Sequence, residues 1–237
     1  MNEEILLKEG SLLMGFEMDE KTAQRLLKYL HILWEWNKRI NLTAEASRET
    51  IIIKHFLDSL GGINLIKEKE GKLADVGSGA GFPGMVMALC IPRMDTVLIE
   101  SIGKKGEFLR SIIRELGMEN ASVEVARAED LGRNPDFREC FDYTTIRAVS
   151  SLRVIVEYCL PLLKKGGFML AYKGPGVYEE IKEAGNALEV MGGSVVEVYE
   201  YELPYTGERR SIALIEKIRE SPRKYPRRAG IPQKRPL

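Results

Sequence analysis

From residue 72 onward, short apolar segments alternate with amphipathic segments that are long enough to form helices. This alternation is typical of an α/β fold, in which parallel strands share one sheet and right-handed crossovers carry helices over its faces. It predicts strands over residues 72–76, 96–100, 122–126, 143–148 and 167–172, and helices over 83–90, 104–116, 150–163 and 177–191.

The last two apolar segments break that alternation. Residues 194–203 and 211–218 are joined by the turn sequence PYTGER, which predicts a hairpin whose final strand is antiparallel to the others. The sequence therefore predicts a mostly parallel, seven-stranded sheet with a C-terminal antiparallel hairpin.

The N-terminal part of the chain shows the periodicity of helices rather than of strands. Asp19 is a predicted N-cap, and a further helix is expected to begin near Ser47 and to end at Gly61-Gly62. We therefore expect three parts: an N-terminal helical extension over residues 1–70, a ligand-binding α/β domain over 71–218 and a C-terminal tail over 219–237.

The composition argues against several classes of protein. Apolar residues make up 44% and charged residues 30% of the 237, and no apolar run approaches the ~20 residues of a membrane-spanning helix. The N-terminus lacks the basic and apolar regions of a signal peptide, and Cys90, Cys140 and Cys159 are too widely spaced for a CxxC metal pair. We expect a cytoplasmic protein that acts as a monomer and uses no metal.

The segment LADVGSGAGFPG, residues 73–84, places four glycines directly after the first predicted strand of the sheet. Parallel α/β sheets bind ligands outside the carboxyl ends of their strands, and glycine lets a ligand approach the backbone closely. No Gly-Lys-Ser/Thr is present, so a nucleoside triphosphate loop is excluded. A dinucleotide and S-adenosylmethionine (SAM) remain as candidate ligands.

Acidic residues at the ends of the first two strands favour SAM over a dinucleotide. Gly79-Ala-Gly81-Phe-Pro-Gly84 does fit the dinucleotide pattern, and Glu100 could accept from the ribose of either ligand. A pyrophosphate prefers hydrogen-bond donors, whereas cationic SAM prefers a carboxylate, and Asp75 precedes Gly77 and Gly79 in an acid-x-Gly-x-Gly pattern. The alternative is that Asp75 only caps backbone N–H groups in the turn.

A further acidic position follows the third predicted strand. Ala128 and Glu129 lie where the adenine edge of SAM is expected, because its exocyclic amine donates to a backbone or side-chain oxygen. The alternative for Glu129 is an ordinary surface acid. The C-terminal hairpin also suits SAM-dependent methyltransferases better than dehydrogenases.

The methyl acceptor can be narrowed by the groups that each kind of acceptor needs. Carbon 5 of cytosine needs a nucleophilic Pro-Cys, whereas Cys159 precedes its proline, and the Asp/Asn-Pro-Pro turn used for exocyclic amines is missing after the fourth strand. A ring nitrogen such as guanine N7 has a lone pair and no proton to lose, so positioning suffices. Arg147 could orient a base or phosphate; the alternative is an ion pair with Asp75 or Glu100.

The C-terminal tail carries a net charge of +6, although the whole chain is neutral. Its four prolines predict an extended segment that could follow a phosphate backbone, so we expect it to contact a polyanion. The alternative is that Tyr225 and Ile231 fix the tail to the body of the protein.

Several motifs, taken together, resemble those of one family. They are Asn41-Leu-Thr-Ala, His55-Phe-Leu-Asp-Ser-Leu, the glycine loop from Asp75, Glu100-Ser with Lys104-Lys105, Arg127-Ala-Glu129, Arg147-Ala-Val, Lys173-Gly174 and Lys224-Tyr-Pro-Arg-Arg-Ala-Gly-Ile-Pro. In this order the chain resembles the bacterial ribosomal RNA small subunit methyltransferase G family, also called glucose-inhibited division protein B. One departure is Ile102-Gly103 after Ser101, which affects the shape of one loop.

The resemblance implies a Rossmann-like class I methyltransferase fold and SAM-dependent methylation of guanine N7 in the 530-loop region of 16S rRNA, in the free RNA or the small ribosomal subunit. It implies SAM contacts at Gly77, Phe82, Ala128, Glu129 and Arg147, to which the strand-end argument adds Asp75, Gly79 and Glu100. Arg147 is also the candidate catalytic residue, through substrate orientation. We expect RNA contacts at His55, Lys173, Arg209, Lys224, Arg227 and Arg228.

Two alternatives to this function stay open from the sequence. One is a methyltransferase that acts on another RNA position or on a small molecule. The other is a non-catalytic rRNA-binding assembly protein that retains the SAM-binding fold.

Overall fold

The computed structural model describes residues 2–237 and is built around a seven-stranded sheet. Its strands are β1 Gly71–Val76, β2 Met94–Ile99, β3 Ala121–Glu124, β4 Phe141–Arg147, β5 Leu163–Lys173, β6 Gly193–Glu202 and β7 Arg209–Lys217. They lie in the order β3-β2-β1-β4-β5-β7-β6; the first five are parallel, and β7 is antiparallel to both β5 and β6. The structure confirms the predicted sheet and its C-terminal hairpin.

Helices cover both faces of this sheet. They are α1 Glu3–Leu13, α2 Glu20–Asn37, α3 Arg48–Ile51, α4 Asp58–Leu60, α5 Gly84–Cys90, α6 Gly103–Glu115, α7 Ala128–Leu131, α8 Leu152–Cys159, α9 Val177–Glu183, α10 Gly185–Met191 and α11 Ile231–Lys234. The helix predicted over 177–191 is divided between α9 and α10, where Gly185 weakens helical propensity. Residues 2–237 contain neither a helix able to span a membrane nor a cluster of side chains suited to a metal ion.

The apolar core lies on both sides of the sheet. On one side α5 and α6 pack with the N-terminal helices, and Tyr29, Phe56 and Phe108 are fully buried there. On the other side α8, α9 and α10 pack against the sheet. Each large apolar side chain buried in this way contributes about 1.5–3 kcal/mol, so the N-terminal helices are held firmly against the α/β domain.

A π-helical segment, Ile52–Leu57, connects α3 to α4. The sequence predicts a helix here, and Ser47 caps it by accepting a hydrogen bond from the N–H of Thr50 at 3.1 Å. Side-chain periodicity does not reveal the wider helical turn. Such turns are rare and occur frequently at functional sites, and this one carries His55.

The C-terminal tail packs against the body of the protein. Tyr225 is buried, and the Arg227 guanidinium binds both oxygens of Glu157, a fully buried side chain, with one N–O distance of 2.6 Å. The short helix α11 then begins with Pro232 in its first turn, where a missing N–H costs little. The expectation of an extended tail is therefore wrong. Of the two residues in the alternative, Tyr225 fixes the tail to the body, whereas Ile231 is exposed.

We expect Arg227→Ala to lower the free energy of unfolding by about 3 kcal/mol, because it removes the charged partner of the buried Glu157 carboxylate. The expected loss is at the low end of the range for buried ion pairs, because the backbone N–H of residue 227 also donates to Glu157 and remains in the variant. Arg228→Ala is the matched control, because Arg228 is an exposed neighbour, and it should cost less than about 0.5 kcal/mol. Urea denaturation measures both, and equal losses would contradict a packed tail.

Candidate active site

The glycine loop follows β1 and packs against the N-terminal helices. At Gly77 the backbone has a φ of +73°, and a Cβ there would lie 2.7 Å from Val149. At Gly81 φ is +95°, and a Cβ would lie 2.5 Å from the hydroxyl of Tyr29, which donates a hydrogen bond to the carbonyl of Ala80. These positions require glycine for two reasons, the left-handed backbone and the close neighbours.

A cavity of about 500 Å³ lies beside this loop, at the carboxyl ends of β1, β2 and β3. Its size is within the range of small-ligand sites. The residues that line it include Val76, Gly77, Ile99, Ala128, Glu129, Val149 and Tyr158, with Ala229, Gly230, Gln233 and Lys234 from the tail. We call it the glycine-loop cavity. It brings together three of the predicted SAM contacts, Gly77, Ala128 and Glu129.

Asp75 and Glu100 lie under the glycine loop and do not line this cavity. Asp75 is fully buried; its Oδ1 accepts from the hydroxyl of Thr145 at 2.8 Å, and burial raises the pKa of its carboxyl group. Glu100 accepts from the N–H groups of Gly79 and Ile102 at 2.9 and 2.8 Å. In this structure the carboxylates support the loop from below, and their direct contacts with SAM stay predictions.

A second cavity, of about 450 Å³, lies at the carboxyl ends of β4 and β5. It is lined by His55, Asp58, Arg147, Tyr172, Lys173 and Arg210, together with Glu45, Lys54, Ala148, Ser150 and Gly174. We call it the His55 cavity. Val149 lines the glycine-loop cavity, whereas its neighbours Ala148 and Ser150 line the His55 cavity. The turn after β4 is therefore a wall that the two cavities share.

Arg147 lines the His55 cavity and not the glycine-loop cavity. Its Nη1 donates to Asp58 at 2.6 Å, and its Nη2 lies 3.0 Å from Nδ1 of His55. Asp58 is buried and also accepts from the hydroxyl of Tyr201 at 2.8 Å. Arg147 is thus ion-paired, but not with Asp75 or Glu100 as the sequence alternative had it, because the N-terminal helices bring Asp58 closer.

His55 is held in its neutral form. Burial, and after it the charges of Arg147, Lys54 and Arg210, lower the pKa of His55 to about 3. The carboxylate of Glu45 lies 4.0 Å from Nε2 and does not offset these effects. A side chain with this pKa is too weak a base to take a proton near neutral pH.

The lowered pKa predicts an acid-dependent loss of stability. Between the unfolded value of about 6.5 and the folded value of about 3, the unfolded chain binds a proton at His55 that the folded protein excludes. Stability therefore falls as the pH drops below about 6.5. The free energy of unfolding of the wild type should therefore be lower at about pH 5 than at about pH 7, and we expect His55→Asn to remove on the order of 2 kcal/mol of that decrease. Urea denaturation at several pH values tests this, with His31→Asn as the exposed control. The same pH dependence of the unfolding free energy in His55→Asn and in the wild type would contradict the prediction.

Phe82 links the glycine loop to the His55 cavity, although it lines neither cavity. Its ring stacks on His55 with centroids 4.8 Å apart, and the guanidinium of Arg147 lies 5.3 Å from the ring centre. A stacked ring and a cation over its face are both stabilising arrangements. The predicted direct contact between Phe82 and SAM stays a prediction.

The predicted RNA-binding residues are not all brought together. His55 and Lys173 line the His55 cavity, and Lys173 also pairs with Glu180 at 2.7 Å. The other four lie outside it: Arg209, Lys224 and Arg228 are exposed, whereas Arg227 is paired with Glu157. The arrangement favours a structural role for Arg227, and the RNA contacts of the other five stay predictions.

Sequence reasoning missed Asp58 and Arg210 in the His55 cavity. Asp58 follows His55 by three residues, a spacing that places two side chains on the same face of a helix. Arg210 is the neighbour of the predicted Arg209 on β7, and successive side chains of a strand point to opposite faces of the sheet. Only the register of β7 decides which arginine faces the cavity.

Comparison with known sequences identifies the family. The sequence model of the family described as rRNA small subunit methyltransferase G matches residues 22–211. The chain is 45% identical over 239 residues to the "Ribosomal RNA small subunit methyltransferase G" of Alkaliphilus metalliredigens, with 100% of both chains covered. It is 42% identical over 241 residues to the protein of that name from Lactobacillus johnsonii, again with 100% of both covered. The chain belongs to this family.

Solved structures show the same fold at low sequence identity. A SAM-dependent methyltransferase from Aquifex aeolicus has a TM-score of 0.54 and 16% identity, covering 79% of this chain and 98% of its own. TYW2 of M. jannaschii, in complex with AdoMet (SAM), has a TM-score of 0.52 and 16% identity, covering 65% and 72%. The predicted family and class I methyltransferase fold are confirmed.

Proposed function

We propose that this member of the methyltransferase G family transfers the methyl group of SAM to N7 of a guanine in the 530-loop region of 16S rRNA. SAM occupies the glycine-loop cavity, and the guanine enters the His55 cavity. The observation that carries this assignment is the wall that the two cavities share at residues 148–150. Two substrates on either side of one short turn can approach each other for a direct displacement.

The chemistry requires alignment and no proton transfer. SAM supplies an electrophilic methyl group on a sulfonium. The N7 lone pair forms the new N–C bond while the S–C bond breaks, so the sulfur keeps the bonding electrons and the positive charge passes to the guanine. The charge of the reacting pair is unchanged, and no acid or base is consumed. This fits a neutral His55 that serves as a wall of the site.

The His55 cavity is lined by side chains that can donate to an RNA substrate. Its basic residues are Lys54, Arg147, Lys173 and Arg210, against the carboxylates of Glu45 and Asp58. Arginine and lysine neutralise phosphates, and arginine can also donate to the O6 edge of guanine. These cations are ion-paired in the structure: Arg147 with Asp58 and Lys173 with Glu180. Lys54 and Arg210 both pair with Glu208. We propose that RNA phosphates replace some of these carboxylate contacts.

We assign different roles to the predicted site residues. Gly77, Ala128 and Glu129 contact SAM, and Asp75, Gly79 and Glu100 keep the glycine loop in shape. Arg147 and Phe82 position His55 and the guanine. Action as a monomer stays a prediction of the sequence. We propose that the reaction takes place in the cytoplasm, where bacterial ribosomes are assembled.

Methyl transfer with purified protein tests this proposal. The protein is incubated with methyl-labelled SAM and either free 16S rRNA or the small ribosomal subunit, with 23S rRNA as the control. We expect the label in 7-methylguanosine of one of the two small-subunit substrates. Label in a different nucleoside, or none in a protein that binds SAM, would contradict the assignment.

A further inference from the structure

The C-terminal tail supplies a part of the glycine-loop cavity that the strands do not. Ala229, Gly230, Gln233 and Lys234 lie in its wall. These residues come after β7, which lies next to the edge strand β6 on the far side of the sheet from β3, so the tail crosses the molecule to reach this place. The tail is therefore a separate part of the cavity wall, contributed by a segment distant in sequence from the glycine loop.

A hydrogen bond joins Gly230 of the tail to Glu129 in the cavity wall. The N–H of Gly230 donates to Oε1 of Glu129 at 2.9 Å, and Glu129 is only 4% exposed. Within residues 2–237, Oε2 of Glu129 makes no hydrogen bond. A carboxylate that is fixed at one oxygen presents the other in a defined direction, where it can accept from an N–H donor of a ligand.

Contacts on both sides hold this part of the tail in place. Before it, Arg227 is paired with the buried Glu157. On the C-terminal side of Gly230, the hydroxyl of Ser150 donates to the side chain of Gln233 at 2.8 Å. Ser150 itself lines the His55 cavity, so the tail is joined to the wall that both cavities share.

We propose that residues 229–234 are part of the SAM-binding site, and that the Gly230 N–H orients Glu129 to accept from the adenine amine. This rests on the proposed function only in that SAM occupies the glycine-loop cavity. Gly230 is then a positioning residue, because it acts through Glu129. In this proposal the tail contributes to SAM binding, whereas its charge predicts a contact with RNA.

A pair of glycine variants isolates this role. Gly230 has a φ of +80° and Gly207, in the turn between β6 and β7, has +65°; a Cβ at either would meet nothing within 4 Å. Alanine therefore strains the backbone at both positions without a clash. Only Gly230 lies at the cavity. Calorimetric titration of the full-length protein with SAM gives the affinity, and thermal unfolding without SAM gives the stability.

We expect Gly230→Ala to weaken SAM binding by at least about tenfold, and Gly207→Ala to leave it within about twofold, at similar losses of stability. An unchanged SAM affinity in Gly230→Ala would overturn the proposal, as would a loss of RNA binding alone. If the wild-type protein itself bound no SAM, the proposed function would fail instead.

A measurement on the unmodified protein guards against a variant that does not fold. Hydrogen exchange is compared with and without SAM at the backbone N–H groups of residues 229–231, 233 and 234, since Pro232 has none. We expect exchange to slow both there and in the glycine loop when SAM is added. Slowing in the glycine loop with no change in the tail would overturn the proposal.

Discussion

Replacing Gly77 with valine will reduce SAM binding by at least about 100-fold, because two independent penalties of about 1–3 kcal/mol each act at one position. The backbone φ of +73° is unfavourable for a β-branched residue, and the new side chain would meet Val149 at 2.7 Å. Both Gly77 and Val149 line the glycine-loop cavity, so any relief of the clash moves one of them into the space for the ligand. Calorimetric titration with SAM measures the effect.

Two controls separate the causes of this loss. Gly103→Ala changes a nearby glycine that has no neighbour within 4 Å of its added Cβ, and it should bind SAM normally. Gly77→Ala combined with Val149→Ala keeps the backbone strain and removes the clash, so it should recover part of the affinity. A folded Gly77→Val protein that bound SAM within about threefold of the wild type would mean that SAM binds elsewhere.

The second large effect is expected at Arg147. Arg147→Ala should lower the rate of methyl transfer by about 100-fold at saturating RNA, the cost of a small misplacement of reacting groups. The guanidinium holds His55 and Asp58 together and lies over Phe82, so its removal loosens one side of the His55 cavity. SAM affinity should stay within about threefold, because Arg147 does not line the glycine-loop cavity.

A double variant distinguishes positioning from simple destabilisation. Arg147→Ala leaves the buried Asp58 without its closest charged partner, which itself costs about 3 kcal/mol. Adding Asp58→Asn removes that buried charge, so it should restore much of the stability and little of the rate. If the double variant regained full activity, or if Arg147→Ala lost SAM binding, Arg147 would instead be the SAM contact that the family resemblance implies.

The fold could be predicted because its causes are local. Each strand from β1 to β5 is a short apolar run between longer amphipathic segments, and this alternation allows few topologies. The hairpin of β6 and β7 has a turn sequence of its own. The boundaries of individual elements differ from the prediction. β5 begins at Leu163, four residues before the predicted start at residue 167, and Leu163 is the residue at which a helix is predicted to end. Pro161 ends α8 before that point.

The placement of the candidate site residues was predictable only where they follow the ends of neighbouring parallel strands. Gly77 and Glu129 follow strand ends, so the topology alone brings them together. The partner of Arg147 was not predictable in this way, since Asp58 lies 89 residues away and reaches it through the packing of the N-terminal helices. The place of the tail was not predictable from nearby residues either. Its prolines and charges suggest an extended segment that binds a polyanion, whereas the buried carboxylate of Glu157 decides where Arg227 lies.

Nucleoside analysis of 16S rRNA from cells that lack this protein tests the central claim most directly. The fragment that contains the 530 loop is isolated, digested and examined by mass spectrometry, alongside RNA from cells that express the wild-type chain or Gly77→Val. We predict that 7-methylguanosine is missing from that fragment without the protein, returns with the wild-type chain and stays missing with Gly77→Val. Undiminished 7-methylguanosine in cells without the protein would contradict the assignment of this guanine as its substrate.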